Sequence, residues 1–345
     1  MLRKRGGPLR LTAPRLVGYT PQWRDSTVSL WNRVFQNLPN FVPMSPSLWR
    51  RRIEEFSLAE GQGNLSGAGP SQFDPRHFRL AILDDEVVGF AHGSLWEDEF
   101  LARLLPDDEP ARVGTLLIIA VDPAHRGRGL GSDLLRNLEE TLEKTHQVNP
   151  PLRVDGRGYN PFYGNFVAPI SPPWGTAEGI ALLASDDDSR AFFRRRGFRE
   201  EVEACRRIRN LRGVDRFQGA IPEGVVIEEV ENWQPILGSD DGTPFPLENE
   251  SRTWILRTGD IQIGALVAFP MGFNRTHYAI YSFEIELERR GKGLGRLLLE
   301  YALAALAHRG ASEVEVLALP EESPEADHLY ESFEFAAQDR WIVLA

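Results

Sequence analysis

Apolar positions recur along the chain in two periods, and the switches between them outline its elements. A short alternating run near Arg15–Gly18 reads as a strand. Helical period follows near Asp25–Phe35, a proline-rich turn breaks it, and a second helical stretch runs near Ser45–Phe56. Residues 61–71 are rich in glycine and serine and read as a loop. Alternation returns at His77–Leu83 and Glu86–Leu95, giving two more strands. An unbroken apolar run at Gly114–Val121 predicts a buried strand, and Leu134, Leu135, Leu138 and Leu142 then mark the inner face of a helix.

The pattern repeats in the second half. A strand is expected at Val225–Val230 and another at His277–Ile285. Leu297, Leu298, Tyr301 and Leu303 begin a helix that stops at Gly310. Between 233 and 250 there are proline, glycine and aspartate clusters but little helical period, so the two early helices of the first half have no evident partner here. The strongest repeat lies between strand and helix. Residues 126–131 read Arg-Gly-Arg-Gly-Leu-Gly and residues 290–295 read Arg-Gly-Lys-Gly-Leu-Gly, 164 positions apart. Later aromatic segments, 192–198 and 329–335, echo each other too, with an insertion in the first copy. The expectation is two copies of one α/β unit, each a twisted mixed sheet flanked by helices. The division is 1–211, a linker at 212–222, and a shorter unit at 223–345.

The 345 residues suit two domains. A net charge of −11 argues against a nucleic-acid partner. No apolar run is long enough to cross a membrane, and no signal-peptide core follows the basic first residues, so a soluble, cytoplasmic protein is expected. One cysteine, Cys205, allows no internal disulfide and no cysteine-built zinc site, and the seven histidines lack metal-ligand spacing, so no metal is expected.

Strand, glycine-rich turn, helix is a physical device for anions. Glycines tolerate positive φ and let backbone approach a ligand. The helix start offers unpaired N–H groups and the positive end of the dipole. Arg126 and Arg290 add fixed charge directly before the first glycine. A diphosphate is the natural ligand. The spacing is not the G-x-G-x-x-G of a dinucleotide fold, the GxxxxGK[ST] of a Walker loop or the G-x-S-x-G of a nucleophile elbow.

Residues 121–131, Val-Asp-Pro-Ala-His-Arg-Gly-Arg-Gly-Leu-Gly, resemble the coenzyme A signature of the GCN5-related N-acetyltransferase (GNAT) superfamily. Residues 285–295 match it with Leu287 where proline is common. The resemblance implies a tandem pair of such folds and an acetyl-CoA-dependent N-acetyltransferase. It would move an acetyl group to the primary amine of a small molecule or peptide by direct attack.

The same resemblance implies a cofactor site in each unit. In the first, backbone amides of Arg126, Gly127, Arg128, Gly129, Gly131 and Ser132 hold the diphosphate, and Ile119 and Val121 lie along the pantetheine arm. In the second, Arg290, Gly291, Lys292, Gly293, Gly295 and Arg296 take the first role, and Phe283 and Ile285 the second. A strand amide can stabilise the oxyanion.

The acid that protonates the departing thiolate is often a tyrosine in the fourth helix of this family. Tyr330 stands at that position in the second unit, where it reads either as that acid or as an amphipathic core residue. In the first unit the position is Phe193, which can face the cofactor but cannot donate a proton.

No general base is evident. His92 could reach a site from a neighbouring strand or be a satisfied strand histidine. Glu284, Glu286 and Glu288 share one strand face, and the acids between 97 and 109 read as a solvated stretch. Trp31, Phe35, Phe41 and Trp49 could wall an acceptor pocket or pack a core. Tyr159 or Tyr163, in the insertion, could stand in for the missing acid. With a tyrosine missing from one copy and a helical wall from the other, a catalytically silent acyl-CoA-binding module is the alternative.

Overall fold

The alternating run becomes β1 (Arg15–Gly18), and Pro21 opens a 3-10 turn that feeds α1 (Arg24–Phe35). A short α2 (Pro46–Trp49) is capped by Ser45, whose Oγ accepts from the Leu48 amide at 3.1 Å, and runs on as a single π turn to Glu54. Glu54 accepts from Arg24 Nε at 2.8 Å and from the Tyr19 hydroxyl, which clamps the two helices to the end of β1. The computed structural model describes residues 13–39, 41, 43–55, 73–95, 114–146, 154–155, 163, 182–231, 233–234, 245–246, 251–271 and 274–344. The glycine/serine stretch at 61–71, the acids between 97 and 109, Tyr159 and most of 233–250 lie outside them.

β2 (Phe78–Leu83), β3 (Glu86–Leu95) and β4 (Gly114–Val121) extend β1 as an antiparallel meander, and β5 (Val154–Asp155) joins parallel to β4. One face of this sheet packs on α1 and α2 around Trp31, Trp49, Phe78 and Phe90, all fully buried. The other packs on α3 (Leu130–His146) through Leu134, Leu138 and Leu142, three of the positions read from sequence, together with Leu130.

After the insertion come β6 (Leu182–Leu183), α4 (Asp187–Arg194) and β7 (Glu200–Asn210). Then follow β8 (Val225–Glu231) and two two-residue strands, β9 (Trp233–Gln234) and β10 (Phe245–Pro246). β11 (Arg252–Thr258), β12 (Ile261–Met271) and β13 (Asn274–Ile285) repeat the meander. α5 (Leu294–His308), β14 (Glu313–Ala318), α6 (Pro324–Ser332) and β15 (Ala336–Leu344) complete the chain.

The second sheet has eight strands in the order β6-β15-β7-β14-β13-β12-β11-β8. β7, which precedes residues 212–222, lies between β14 and β15 and pairs antiparallel with both. β15 in turn pairs with β6 of the first half, through Trp341 opposite Leu183 and Ile342 opposite Leu182. Each half thus lends its last strand to the other. Side chains lock the exchange. Arg207 on β7 donates to Asp327 at 2.6 and 2.9 Å and to Glu331 at 2.8 Å, both on α6. Its neighbour Arg206 points the opposite way, to Asp339 at 2.9 Å and Glu315 at 3.2 Å, and His277 Nε2 lies 3.0 Å from the same Glu315.

The repeats share a backbone detail at the ends of α4 and α6. Gly197 has φ +88° and its counterpart Glu334 has φ +61°. Phe198 N–H donates to the Phe193 carbonyl as Phe335 N–H donates to that of Tyr330. The left-handed turn is free for glycine and costs other residues about 1–2 kcal/mol. Glu334→Gly should therefore stabilise the fold by roughly 0.5–1 kcal/mol after the extra entropy of glycine is offset. Gly197→Ala should destabilise it. Urea unfolding checks both, and the idea fails if E334G lowers stability.

Candidate active site

The first cleft begins with a fault in pairing. Between β3 and β4 the register runs His92 opposite Ile118 and then Gly93 opposite Leu116, so Leu117 is a bulge. Among the described residues β4 pairs with β5 through Gly114 and Thr115. Beyond these β4 presents Leu116–Val121 to an opening. The second half repeats this. Tyr281, 164 positions after Leu117, is the bulge between β12 and β13, and pairing of β13 with β14 ends at Ile280.

A glycine loop closes each opening at its far end. Gly127 and Gly129 have φ +73° and +85°, and Gly291 and Gly293 have φ +73° and +78°. A Cβ at any of the four would meet no atom within 4 Å, so each glycine borders open space. Arg126 Nε donates to the Val121 carbonyl at 3.0 Å and Arg290 Nε to that of Ile285 at 2.9 Å, which folds each loop back on its own strand. α3 and α5 start at the next residues, Leu130 and Leu294.

The first loop is also tied to the helical wall. Asp122 accepts from the Ala124 amide at 2.9 Å and from Arg33 Nε of α1 at 2.8 Å. Burial pushes the Asp122 carboxyl up, but the amide and the Arg33 guanidinium outweigh it and hold it below the usual carboxylate range. The matching residue, Glu286, reaches only its neighbour Arg289, at 3.7 Å.

A cleft of about 720 Å³ runs from the bulge to this loop. It brings together Ile119, Val121, Arg126, Gly127, Gly129, Gly131, Ser132 and Phe193, eight of the nine cofactor residues expected in the first unit. Arg128 stands in the loop without lining the cleft. Phe193 packs against Phe192 and Phe198, with ring centroids 5.1 Å away in each case. Val34 and Phe35 of α1, with Leu38 just beyond it, form one side, Leu182 and Leu183 the other.

Trp341 and Leu344 also line it, carried in by the exchanged strand β15. Nothing local in sequence could have placed them there. Arg195 and Arg196 were likewise not expected, although their position in the repeated aromatic segment was a usable signal.

Other candidates sit elsewhere. His92 Nδ1 is 2.8 Å from the Tyr163 hydroxyl, and Tyr163 stacks on Trp31 with centroids 5.7 Å apart. Both are buried in the first core and neither lines the cleft. Burial drives the His92 pKa well down and the Tyr163 pKa well up. Trp31 and Trp49 are core residues beside them. In the second half Tyr330 is buried between Phe283 and Phe335, at 6.3 and 5.5 Å. Phe283 and Ile285 approach the start of α5 at Gly295. Lys292 Nζ donates to the Glu288 carbonyl at 3.1 Å, and Arg296 to Ser332 Oγ at 2.8 Å. Among the described residues no group of histidine, cysteine and carboxylate side chains could hold a metal, and no helix is long and apolar enough to cross a membrane.

This geometry occurs twice in the chain, and so does the family match. The acetyltransferase (GNAT) family model fits residues 46–150 and again 223–335. The chain belongs to that family. Among solved structures, it resembles the tandem GNAT protein from the clavulanic acid biosynthesis pathway, with a TM-score of 0.59 over 96% of this chain and 97% of that one, at 16% identity. A GCN5-related N-acetyltransferase from Sphaerobacter thermophilus gives 0.57 over 96% and 94%, at 14% identity. Both likenesses are of fold. A mycothiol acetyltransferase from Amycolatopsis mediterranei (strain U-32) is 29% identical over 106 residues, which span 27% of this chain and 31% of that protein. The tandem GNAT architecture expected from the duplicated loops is therefore present. The chemistry of the family is acetyl transfer from acetyl-CoA to amine acceptors.

Proposed function

We propose that the chain is an acetyl-CoA-dependent N-acetyltransferase that acts on the primary amine of a small molecule or peptide, and that the first cleft is its active site. The observation that carries this is the coincidence, in one cleft, of a bulged strand and a loop of left-handed glycines opening a helix. The loop amides from Arg126 to Ser132 would take the diphosphate, helped by the Arg126 charge and the α3 dipole. Ile119 and Val121 would flank the pantetheine arm, with Phe193 across from them. Apolar walls keep water from the thioester and strengthen any dipole aimed at its carbonyl.

The reaction is then direct. The neutral amine nitrogen attacks the thioester carbonyl, the C–N bond forms, the C–S bond breaks, and the thiolate leaves with a proton. Phe193 cannot supply that proton, and the described carboxylates that line the cleft, Asp186 and Asp188, stand at the start of α4. Proton transfer would pass through water. Tyr330 would serve as acid only in the second unit, where it occupies the matching position.

The same apolar lining favours the second reading, a silent acyl-CoA-binding module. A panel of amines separates them, with free coenzyme A thiol as the readout. Turnover on at least one primary amine is expected. Binding of acetyl-CoA without thiol release on any acceptor would establish the module instead.

A further inference from the structure

The two repeats carry opposite charges where the fourth helix ends beside its glycine loop. In the first, Arg194, Arg195 and Arg196 run into the left-handed Gly197. At the matching positions the second has Glu331, Ser332 and Phe333, followed by the left-handed Glu334. Arg195 and Arg196 both line the cleft that contains the first loop. The guanidinium of Arg196 lies 3.6 Å above the Phe192 ring, donates to the Phe192 carbonyl at 2.6 Å and reaches the Ser132 hydroxyl. Ser132 is the third residue of α3, so this cation is fixed one turn past the loop.

The nearby carboxylate, Glu200, is taken by Arg190 at 2.8 Å and by Arg194 at 4.0 Å. Among the described residues no carboxylate forms an ion pair with Arg195 or Arg196, although Asp186 and Asp188 line the same cleft. Burial first, and then the charge of Arg195, lower the pKa of Arg196, the Glu139 carboxylate of α3 opposes them in part, and Arg196 remains a cation. Two adjacent cations facing a cleft are mutually repulsive unless an anion joins them. The matching end of α6 carries no arginine of its own, with Glu331 and Glu334 in place of cations; the guanidiniums over Phe333 come from other elements, Arg296 of α5 at 4.9 Å, which is bonded to Ser332, and Arg209 of β7 at 5.6 Å.

We propose that Arg195 and Arg196 form a second anion subsite in the first cleft, which takes the 3′-phosphomonoester of coenzyme A while the loop amides take its diphosphate. The proposal rests on reading that cleft as the coenzyme site. Arginines suit the task because a guanidinium donates two parallel bonds to a phosphate. The subsite makes the first repeat select the 3′-phosphorylated coenzyme.

Calorimetric titration of the full chain with coenzyme A and with 3′-dephospho-coenzyme A tests this without altering the protein. The dephospho form should bind at least tenfold more weakly, a loss that matches one or two charge-assisted hydrogen bonds. R195Q or R196Q should shrink that ratio, chiefly by weakening coenzyme A. A ratio below tenfold in the unaltered protein, or one that neither variant moves, overturns the subsite and leaves the coenzyme reading intact. Failure of both ligands to bind would overturn the coenzyme reading and the subsite with it.

Discussion

Replacing Gly129 with valine is expected to weaken coenzyme A binding by more than 100-fold while the protein stays folded. Gly129 has φ +85°, a conformation that costs other residues about 1–2 kcal/mol and β-branched residues the upper part of that range. A native domain with about 5–15 kcal/mol of stability absorbs this. No atom lies within 4 Å of the added Cβ, so the first carbon of the new side chain meets open space. It instead fills the space the loop keeps open and screens the amides that face it. Losing two hydrogen bonds to a charged group, at about 1.5–3 kcal/mol each, is a factor of 100 or more in affinity. Gly293→Val makes the same change in the second loop, φ +78°, and serves as the comparison. Near-normal affinity in G129V would contradict the assignment. Binding lost in G293V alone would move the site to the second repeat.

The second large effect concerns the strand exchange. Arg207→Met is expected to destabilise the protein by about 3 kcal/mol, because removing one partner of a buried ion pair leaves the other charge uncompensated. The Arg207 side chain is 8% exposed and Asp327 15%, whereas Glu331 is 54% exposed and contributes little. Most of the loss therefore belongs to the bond from Arg207 to Asp327. R207M should also weaken coenzyme A binding at the distant first cleft, since β7 holds β15 and β15 carries Trp341 and Leu344 into that cleft. Urea unfolding of R207M, D327A and the double variant measures the coupling. A destabilisation below 1 kcal/mol would show that the pair does not fasten the exchange.

Strand exchange also gives the second repeat a physical role that does not depend on its own loop. The first cleft is closed on one side by residues some 150 positions or more beyond its helix α4. A second unit that binds nothing would still be needed to build the first site.

Much of the candidate site was legible because its signals are local. The glycines at 127, 129, 291 and 293 answer to backbone conformation, which a few neighbouring residues decide. The helix that follows each loop showed in its leucine spacing, and the offset of 164 positions revealed the duplication before any contact was known. Phe193 and Tyr330 could be matched by their distance from a helix end. The bulges at Leu117 and Tyr281 left no comparable mark, because register depends on the partner strand. His92 and Tyr163 read equally well as chemistry or packing until their burial placed them beneath the cleft instead of in it.

The sequence by itself determined the repeated unit, the strand, glycine loop and helix at its centre, and the early helices of the first copy, since propensity, period and turn chemistry act over short distances. Only the tertiary structure decided where β7 and β15 pair, and with them that Trp341 and Leu344 face the first cleft beside Arg195 and Arg196. An alternating strand carries no address for its neighbour. That choice is made by long-range burial and by buried charges such as Arg207 finding Asp327 across 120 residues of chain.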